Sequence, residues 1–441
     1  MSEALQAFID GPLSDATRGS TALKDTVVDV AAAGQESLED QEYRGGRSRR
    51  QVALQSAAPL FSYQREIVDA LHQWYRDSDT RSGSLVALPT GGGKTRTAVW
   101  FTREAIEEHD VKRVLWIAPS IELVDQAGDC FEDLWRRFGG APETTLLVNE
   151  FAGVEGVDGR ACVVLATAQL AAKRLDAITA YGPELLIFDE AHQAVAATYQ
   201  PIVSVVMDDG RGKVVGLSAT PGRSAMEEAT DLRLLFRAQL ITSPELGSSP
   251  VEYLRRHGVL SQLAIDLLPL PEHLDGMRVR DLTKRYLSID ELALEPSRFW
   301  AVVDAVASRP EESKQLVFGA SVAHCVALAG ALQERGLVAA VLSYETLPGR
   351  RRKILEDFRA GEINVLLNKT LLATGYDCPS ITDVVLASPI RSPILWEQIL
   401  GRVSRGPNVG GTKVGYVWEL DDHRAMHADV MSYARYLGEV W

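Results

Sequence analysis

Cysteine is scarce. The four in this chain of 441 residues, Cys130, Cys162, Cys325 and Cys378, lie far apart, and none forms a CxxC pair or a Cys/His cluster. That argues against both a disulfide framework and a zinc site, and fits a reducing compartment. Long apolar runs are also missing. No stretch reaches the ~18 apolar residues a membrane span requires, and the start MSEALQAFID lacks the basic and apolar regions of a secretory leader. A cytoplasmic protein without membrane contact is expected. Basic residues are in deficit, with 46 Lys and Arg against 60 Asp and Glu and a formal net charge of −14. This excludes a protein whose whole surface embraces nucleic acid, but not one with a confined basic groove. The deficit is uneven. Eight acids between Glu3 and Asp40 face only Arg18 and Lys24, so the arm supplies six of the excess negative charges.

What is present is ordinary globular material, 46% hydrophobic and 24% charged. At roughly 100 to 200 residues per domain, two to four domains are expected, each large enough for its own core. Residues 1–50 read as an acidic arm followed by a basic, flexible linker from Arg44 to Arg50. From 51 to 240, short apolar runs alternate with helical stretches: Leu85 to Leu88, Val114 to Ala118, Val163 to Ala166, Leu185 to Phe188 and Val214 to Leu217. A helical, charge-rich bridge is expected over 241–298. A second alternating unit fills 299–441, through Gln315 to Phe318, Val338 to Leu342, Val365 to Asn368, Val384 to Ala387 and Gly415 to Leu420. Runs of this length interleaved with helices predict βαβ units, and hence two α/β domains with buried parallel sheets flanked by helices.

The chemistry begins at Thr90, Gly91, Gly92, Gly93, Lys94 and Thr95, which follow a predicted strand and open a predicted helix. That is the setting of a P-loop. Glycines let backbone N–H groups curl around phosphate oxygens, and the helix N-terminus adds partial positive charge. Lys94 then binds the β- and γ-phosphates of ATP, and Thr95 ligates Mg²⁺. The general pattern has glycine where this chain has Leu88. Further on, the apolar run Leu185 to Phe188 delivers Asp189, Glu190, Ala191 and His192. A carboxylate at a strand end suits Mg²⁺, and its neighbour can take a proton from the attacking water. Asp189 and Glu190 fill those roles in order. Read without the P-loop, the pair is equally an acidic helix N-terminus.

These residues, with others in the same order along the chain, resemble the superfamily 2 helicases and translocases that carry a DEAH-type second motif. The likeness runs from Tyr63 to about Trp418. Gln64 stands where that family reads adenine, Pro119 and Ser120 resemble the first nucleic-acid contact, and Thr167 and Gln169 resemble the next. Ser218, Ala219, Thr220 and Pro221 match the segment that couples hydrolysis to domain movement. In the second unit, Ser321 after Phe318 and Gly319 resembles a further polymer contact. Thr370, Gly375 and Asp377 resemble the following motif, with Thr370 on the polymer and Gly375 and Asp377 near the ribose. Gln398, Gly401, Arg402 and Arg405 spell QxxGRxxR, in which two guanidinium groups one helical turn apart suit charge on a γ-phosphate.

The resemblance implies two tandem RecA-like domains with ATP and Mg²⁺ between them. Each motif taken singly also has a plain structural reading: a strand end, a solvated amide, a surface ion pair. The run Arg350, Arg351, Arg352 and Lys353 reads either as an extension of a polymer track or as a solvated helix start. Trp74 and Tyr75 read as core rather than as a base-stacking platform. The segment from Tyr253 to Leu260 is similar to the linker of the branch containing excision-repair helicases and restriction-enzyme motors, which favours DNA, single- or double-stranded, over RNA. A motor that translocates or unwinds is one expectation; an ATP-gated DNA-binding module of a larger complex is the other. Only a short stretch separates Arg405 from Trp441, so a bare motor is expected, with a protein partner supplying specificity or nuclease activity.

Overall fold

The computed structural model describes residues 59–78, 82–138, 144–151, 160–208, 212–219, 226–236, 239–268, 289–373, 375–390 and 393–420. The acidic arm and basic linker over 1–50, and Thr220 with Pro221, lie outside the described residues. The first seven strands are β1 Gly83–Ala87, β2 Arg113–Ala118, β3 Thr145–Val148, β4 Cys162–Thr167, β5 Leu185–Phe188, β6 Lys213–Ser218 and β7 Leu240–Ile241. They form one wholly parallel sheet in the order β3-β4-β2-β5-β6-β1-β7. The period of two along each strand divides its side chains between two cores. Val86 and Trp116 face the helices Ser62–Asp77, Lys94–Glu108 and Ile121–Phe138, while Leu85 and Leu115 face Ile178, Ile202 and Val206 on the other side. A parallel sheet covered on both faces needs such continuous apolar strands.

The remaining strands are β8 Gln262–Leu268, β9 Gln315–Phe318, β10 Ala339–Leu342, β11 Val365–Asn368, β12 Asp383–Leu386 and β13 Val414–Leu420. They make a second, separate parallel sheet in the order β10-β11-β9-β12-β13-β8. Two α/β domains were expected, and two are found. The bridge over 241–298 is not simply helical, however. Besides the helix Pro250–Arg256 it contains β8, paired with β13 in full register from Gln262↔Val414 to Leu268↔Leu420. Ladder bonds to β13 satisfy one side of the backbone there, and β8 is an edge strand, so Asp266 and Ile265 can face solvent. Trp74 lies in the first core, as expected, and Tyr75 packs against it. Among the described residues no helix is long and apolar enough to cross a membrane.

Candidate functional site

Functional groups in a parallel sheet gather at the carboxyl ends of its strands. The P-loop leaves the end of β1, Asp189 leaves the end of β5, and β6 runs between them carrying Ser218. The Leu88 N–H donates to the Ser218 carbonyl at 3.2 Å, so pairing continues one residue past β1. Leu88, where the pattern has glycine, is fully buried in the first core and needs no special backbone. Gly91 and Gly93 carry the conformational burden at φ +86° and +84°, a region costly for residues with a Cβ. Gly93 caps the helix Lys94–Glu108, and Lys94 is buried at its first turn.

Tyr63, noted in the sequence beside Gln64 but given no role of its own, donates its hydroxyl to the Gly92 carbonyl at 2.9 Å. The Gln64 amide donates to the same carbonyl at 3.2 Å, and its oxygen accepts the Phe61 N–H at 3.1 Å. Together these side chains brace the loop from behind. Both ends of the Gln64 amide are thus engaged within the protein, and reading a base requires exchanging one of these partners.

The two carboxylates are held differently. Asp189 is buried, its Oδ1 accepts the Glu190 N–H at 2.9 Å, and its Oδ2 is buried without a hydrogen-bond partner. Burial and the neighbouring Glu190 charge raise the Asp189 pKa. Glu190 moves the other way: burial alone would raise its pKa, but Lys94 and His192 outweigh it and hold the carboxyl ionised. His192 Nδ1 lies 3.3 Å from Glu190 Oε2. Glu190 also sits at φ +49°, a left-handed backbone that a non-glycine residue adopts only where its surroundings impose it. The residues fit a divalent cation through Asp189, whose orphaned oxygen lacks a partner, with the Thr95 hydroxyl at the adjoining helix start.

The opposing wall comes from the second sheet. The helix Pro393–Val403 presents Gln398, Gly401 and Arg402, and Arg405 follows it. Its approach is close, since a Cβ added to Gly401 would overlap Thr90 Cγ2. Arg402 donates to the Gln398 and Tyr376 carbonyls, and burial followed by the nearby Arg405 charge pushes its pKa down to about 10. Arg405 Nε donates to Asp377 Oδ1 at 2.9 Å, while Nη1 is buried without a partner, 2.5 Å from where a Gly91 Cβ would stand. For Asp377, burial opposes the shift, but Arg405 and Arg402 prevail and lower its pKa.

Asp377 therefore holds an arginine, in addition to the ribose contact that the resemblance implied for it. Gly375, at φ +75°, packs beside Ser120: its Cβ would stand 2.9 Å from Ser120 Oγ. Gly375 thus adjoins Ser120 while Asp377 bonds Arg405. A second feature was also missed. Leu254, Val259 and Leu260 belong to the first core, while the backbone from Gly258 to Ser261 bonds to the segment around Arg405: Gly406 N–H to Val259 O at 2.9 Å, Ser261 N–H to Ser404 O at 3.0 Å, and Ser261 Oγ to Arg405 O at 2.6 Å. This strap registers Arg405 against the P-loop.

The residues expected to touch polymer form a second group at the ends of β2, β4, β9 and β11. Ser120 Oγ accepts the Leu123 N–H at 3.4 Å, Thr167 Oγ1 accepts the Leu170 N–H at 3.3 Å, and Ser321 Oγ accepts the His324 N–H at 3.1 Å. Gln169 and Thr370 are exposed. In the basic run, Arg351 bonds Glu122 of the other domain at 2.9 Å, and Lys353 bonds Asp357 at 2.5 Å, so both are committed within the protein.

Two family models match the chain in the order of its sheets: the res subunit of type III restriction enzymes over residues 58–223, and the helicase conserved C-terminal domain over 297–406. The chain belongs to the superfamily 2 helicases. Among relatives of this helicase, a 51.5 kDa protein of Lactococcus phage (isolate 7-9) is 28% identical over 314 residues, covering 71% of this chain and 61% of its own. The DNA 3'-5' translocase XPB2 of Sulfurisphaera tokodaii is 22% identical over 382 residues, 78% of each. A solved structure of the ATP-dependent Type ISP restriction-modification enzyme LlaBIII bound to DNA superposes with a TM-score of 0.61 at 16% identity, over 83% of this chain and 28% of that one. The helicase spans about half to three fifths of the first curated relatives it matches. It resembles motor subunits of repair and restriction systems.

Proposed function

We propose that the chain hydrolyses ATP between its two domains and uses the cycle to move on DNA. One observation carries the reading: two buried polar atoms of opposite character, Asp189 Oδ2 and Arg405 Nη1, lie without partners on opposing walls around the P-loop. A buried unpaired polar atom costs about 1–3 kcal/mol. A phosphate chain accompanied by a divalent cation satisfies both.

In this mechanism the N–H groups of Gly91 to Lys94 and the Lys94 ammonium bind phosphate. Asp189 and Thr95 would hold Mg²⁺, which supplies charge neutralisation on the phosphate oxygens. Glu190, ionised and oriented beside His192, accepts the proton of the attacking water. Arg405, aimed by Asp377, meets charge developing on the transferred group, with Arg402 behind it. Once that charge leaves, Arg405 Nη1 is again without a partner, and the contact of Gly401 with Thr90 has no ligand bridging it. The domains can then part.

On the polymer side, Ser120, Thr167 and Ser321 each accept a helix cap bond and keep a hydroxyl proton to donate to a phosphate oxygen. Such contacts follow a backbone and ignore sequence. DNA is favoured because the similar proteins include a DNA 3'-5' translocase and a restriction-modification enzyme bound to DNA. A partner supplying specificity or nuclease activity is part of the proposal, because the similar proteins include a subunit of a type I restriction enzyme.

The test is ATP turnover alone and with single-stranded DNA, duplex DNA or RNA, beside a Lys94→Ala control. Stimulation by DNA is expected, and failure of every polymer to raise turnover sinks the motor reading. Greater stimulation by RNA would change the polymer. DNA-stimulated turnover without triplex displacement would favour the gated-binding alternative.

A further inference from the structure

On the flank of the first domain, the C-terminal halves of two neighbouring helices bring two histidines together. His72, from the helix Ser62–Asp77, is buried, and its Nδ1 lies 2.8 Å from Nε2 of His109, the half-buried cap of the P-loop helix. Glu108 places a carboxylate oxygen within 4.8 Å of a ring nitrogen of each histidine. On its far side, His72 Nε2 lies 3.0 Å from Glu104 Oε2. Glu104 is itself fixed, accepting from Arg65 at 2.6 and 2.9 Å and from Trp100 Nε1 at 2.6 Å. Donation from His72 Nε2 to this carboxylate leaves the Nδ1 lone pair facing His109. The motor chemistry uses none of these residues.

We propose that His72, His109 and Glu108 bind one transition-metal ion of the zinc class, with Glu104 orienting His72 from behind. Imidazole nitrogens with one carboxylate oxygen are ligands for zinc, copper or nickel rather than for magnesium or calcium. A carboxylate hydrogen-bonded to the distal nitrogen of a ligating histidine sets its tautomer and raises its basicity. The cap position adds the partial negative charge of the helix C-terminus.

Tyr75 stacks on the His109 ring, and Arg65 and Asp69 complete the charges of this face. A bound ion would tie the helix carrying Tyr63 and Gln64 to the P-loop helix at the ends remote from the nucleotide. The two nitrogens stand at hydrogen-bond distance now, so the ion replaces the proton they share and moves the rings slightly apart.

The test is a titration of the full chain, stripped with a chelator, with zinc chloride against a zinc indicator, with Mg²⁺ in excess. One saturable equivalent is expected, with a rise in Tm. Glu108→Ala, at an exposed position, and His109→Ala should each weaken binding at least about 10-fold and abolish the rise in Tm. Glu104→Gln should weaken it about 10- to 100-fold. Asp189→Asn should leave the equivalent intact, which separates this site from the carboxylates beside the P-loop. Absence of a saturable equivalent, or its retention in His109→Ala and Glu108→Ala, overturns the assignment.

Discussion

The two faces that meet along the strand ends are built on opposite principles. On the nucleotide face, charged groups are buried and deliberately incomplete: Asp189 Oδ2 and Arg405 Nη1 lack partners, and Glu190 is held in a left-handed backbone. On the polymer face, Ser120, Thr167 and Ser321 are neutral, half-buried, and already occupied as helix caps. The first arrangement is complete only with a charged ligand, so it can switch. The second is complete by itself, so under the proposed function it would hold a strand weakly in every state of the cycle. A net charge of −14 is compatible with polymer contact on such a face.

The sharpest way to break the contrast is to empty the charged face. Arg405→Ala removes the one guanidinium nitrogen aimed at Gly91 and is expected to reduce turnover about 10³-fold, with ATP binding affected far less. Lysine at 405 should not rescue, since it cannot satisfy Asp377 and the ligand from one planar fork. Glu190→Gln comes next, with a loss of about 10²-fold or more in a single-turnover assay and retained ATP binding. If that variant hydrolyses normally, the base lies elsewhere. The pH dependence follows from Asp189. Its folded pKa is raised, and a divalent cation needs the ionised form. Apparent Mg²⁺ affinity should therefore fall as pH drops through that raised value and lose this dependence in Asp189→Asn.

A subtler break targets the closeness of the two walls. Gly401→Ala places a methyl group on Thr90 Cγ2, and threonine, branched at Cβ, has little freedom to yield. Each domain keeps its own core, so Tm should move little while turnover falls about 10-fold; an unchanged turnover would show that the walls need not meet this tightly.

How far the chain could be read without its structure differs between the faces for the same reason. The P-loop, Asp189 and Glu190 are local patterns at the ends of apolar runs, the arginine pair is a local pattern at the end of a helix, and most strands of both sheets were legible from such runs. What escaped was relational. Asp377 sits 28 residues from the arginine it holds, Tyr63 is 29 residues from the loop it braces, and the strap from Gly258 to Ser261 meets its partners only in space. β8 escaped because an edge strand with half-exposed side chains, QLAIDLL, lacks the unbroken apolar run that marked the central strands. His72 and His109 lie 37 residues apart and share no spacing that suggests a pair.

The smallest expected effects sharpen the contrast from the neutral side. Removing a capping hydroxyl with Ser321→Ala or Thr167→Ala takes away one helix-cap acceptor and one donor to a phosphate, so it should destabilise its own domain by about 1 kcal/mol and weaken single-stranded DNA binding a few-fold. Turnover without polymer should not change. The salt dependence of binding decides what kind of contact was lost: each cation contact removed lowers the slope of log affinity against log salt by about 0.7 for a single strand. A hydroxyl releases no counterion, so the slope in these variants should match that of the parent chain. A shallower slope would mean that a lysine or arginine moved with the cap, and that the polymer face is held by charge after all.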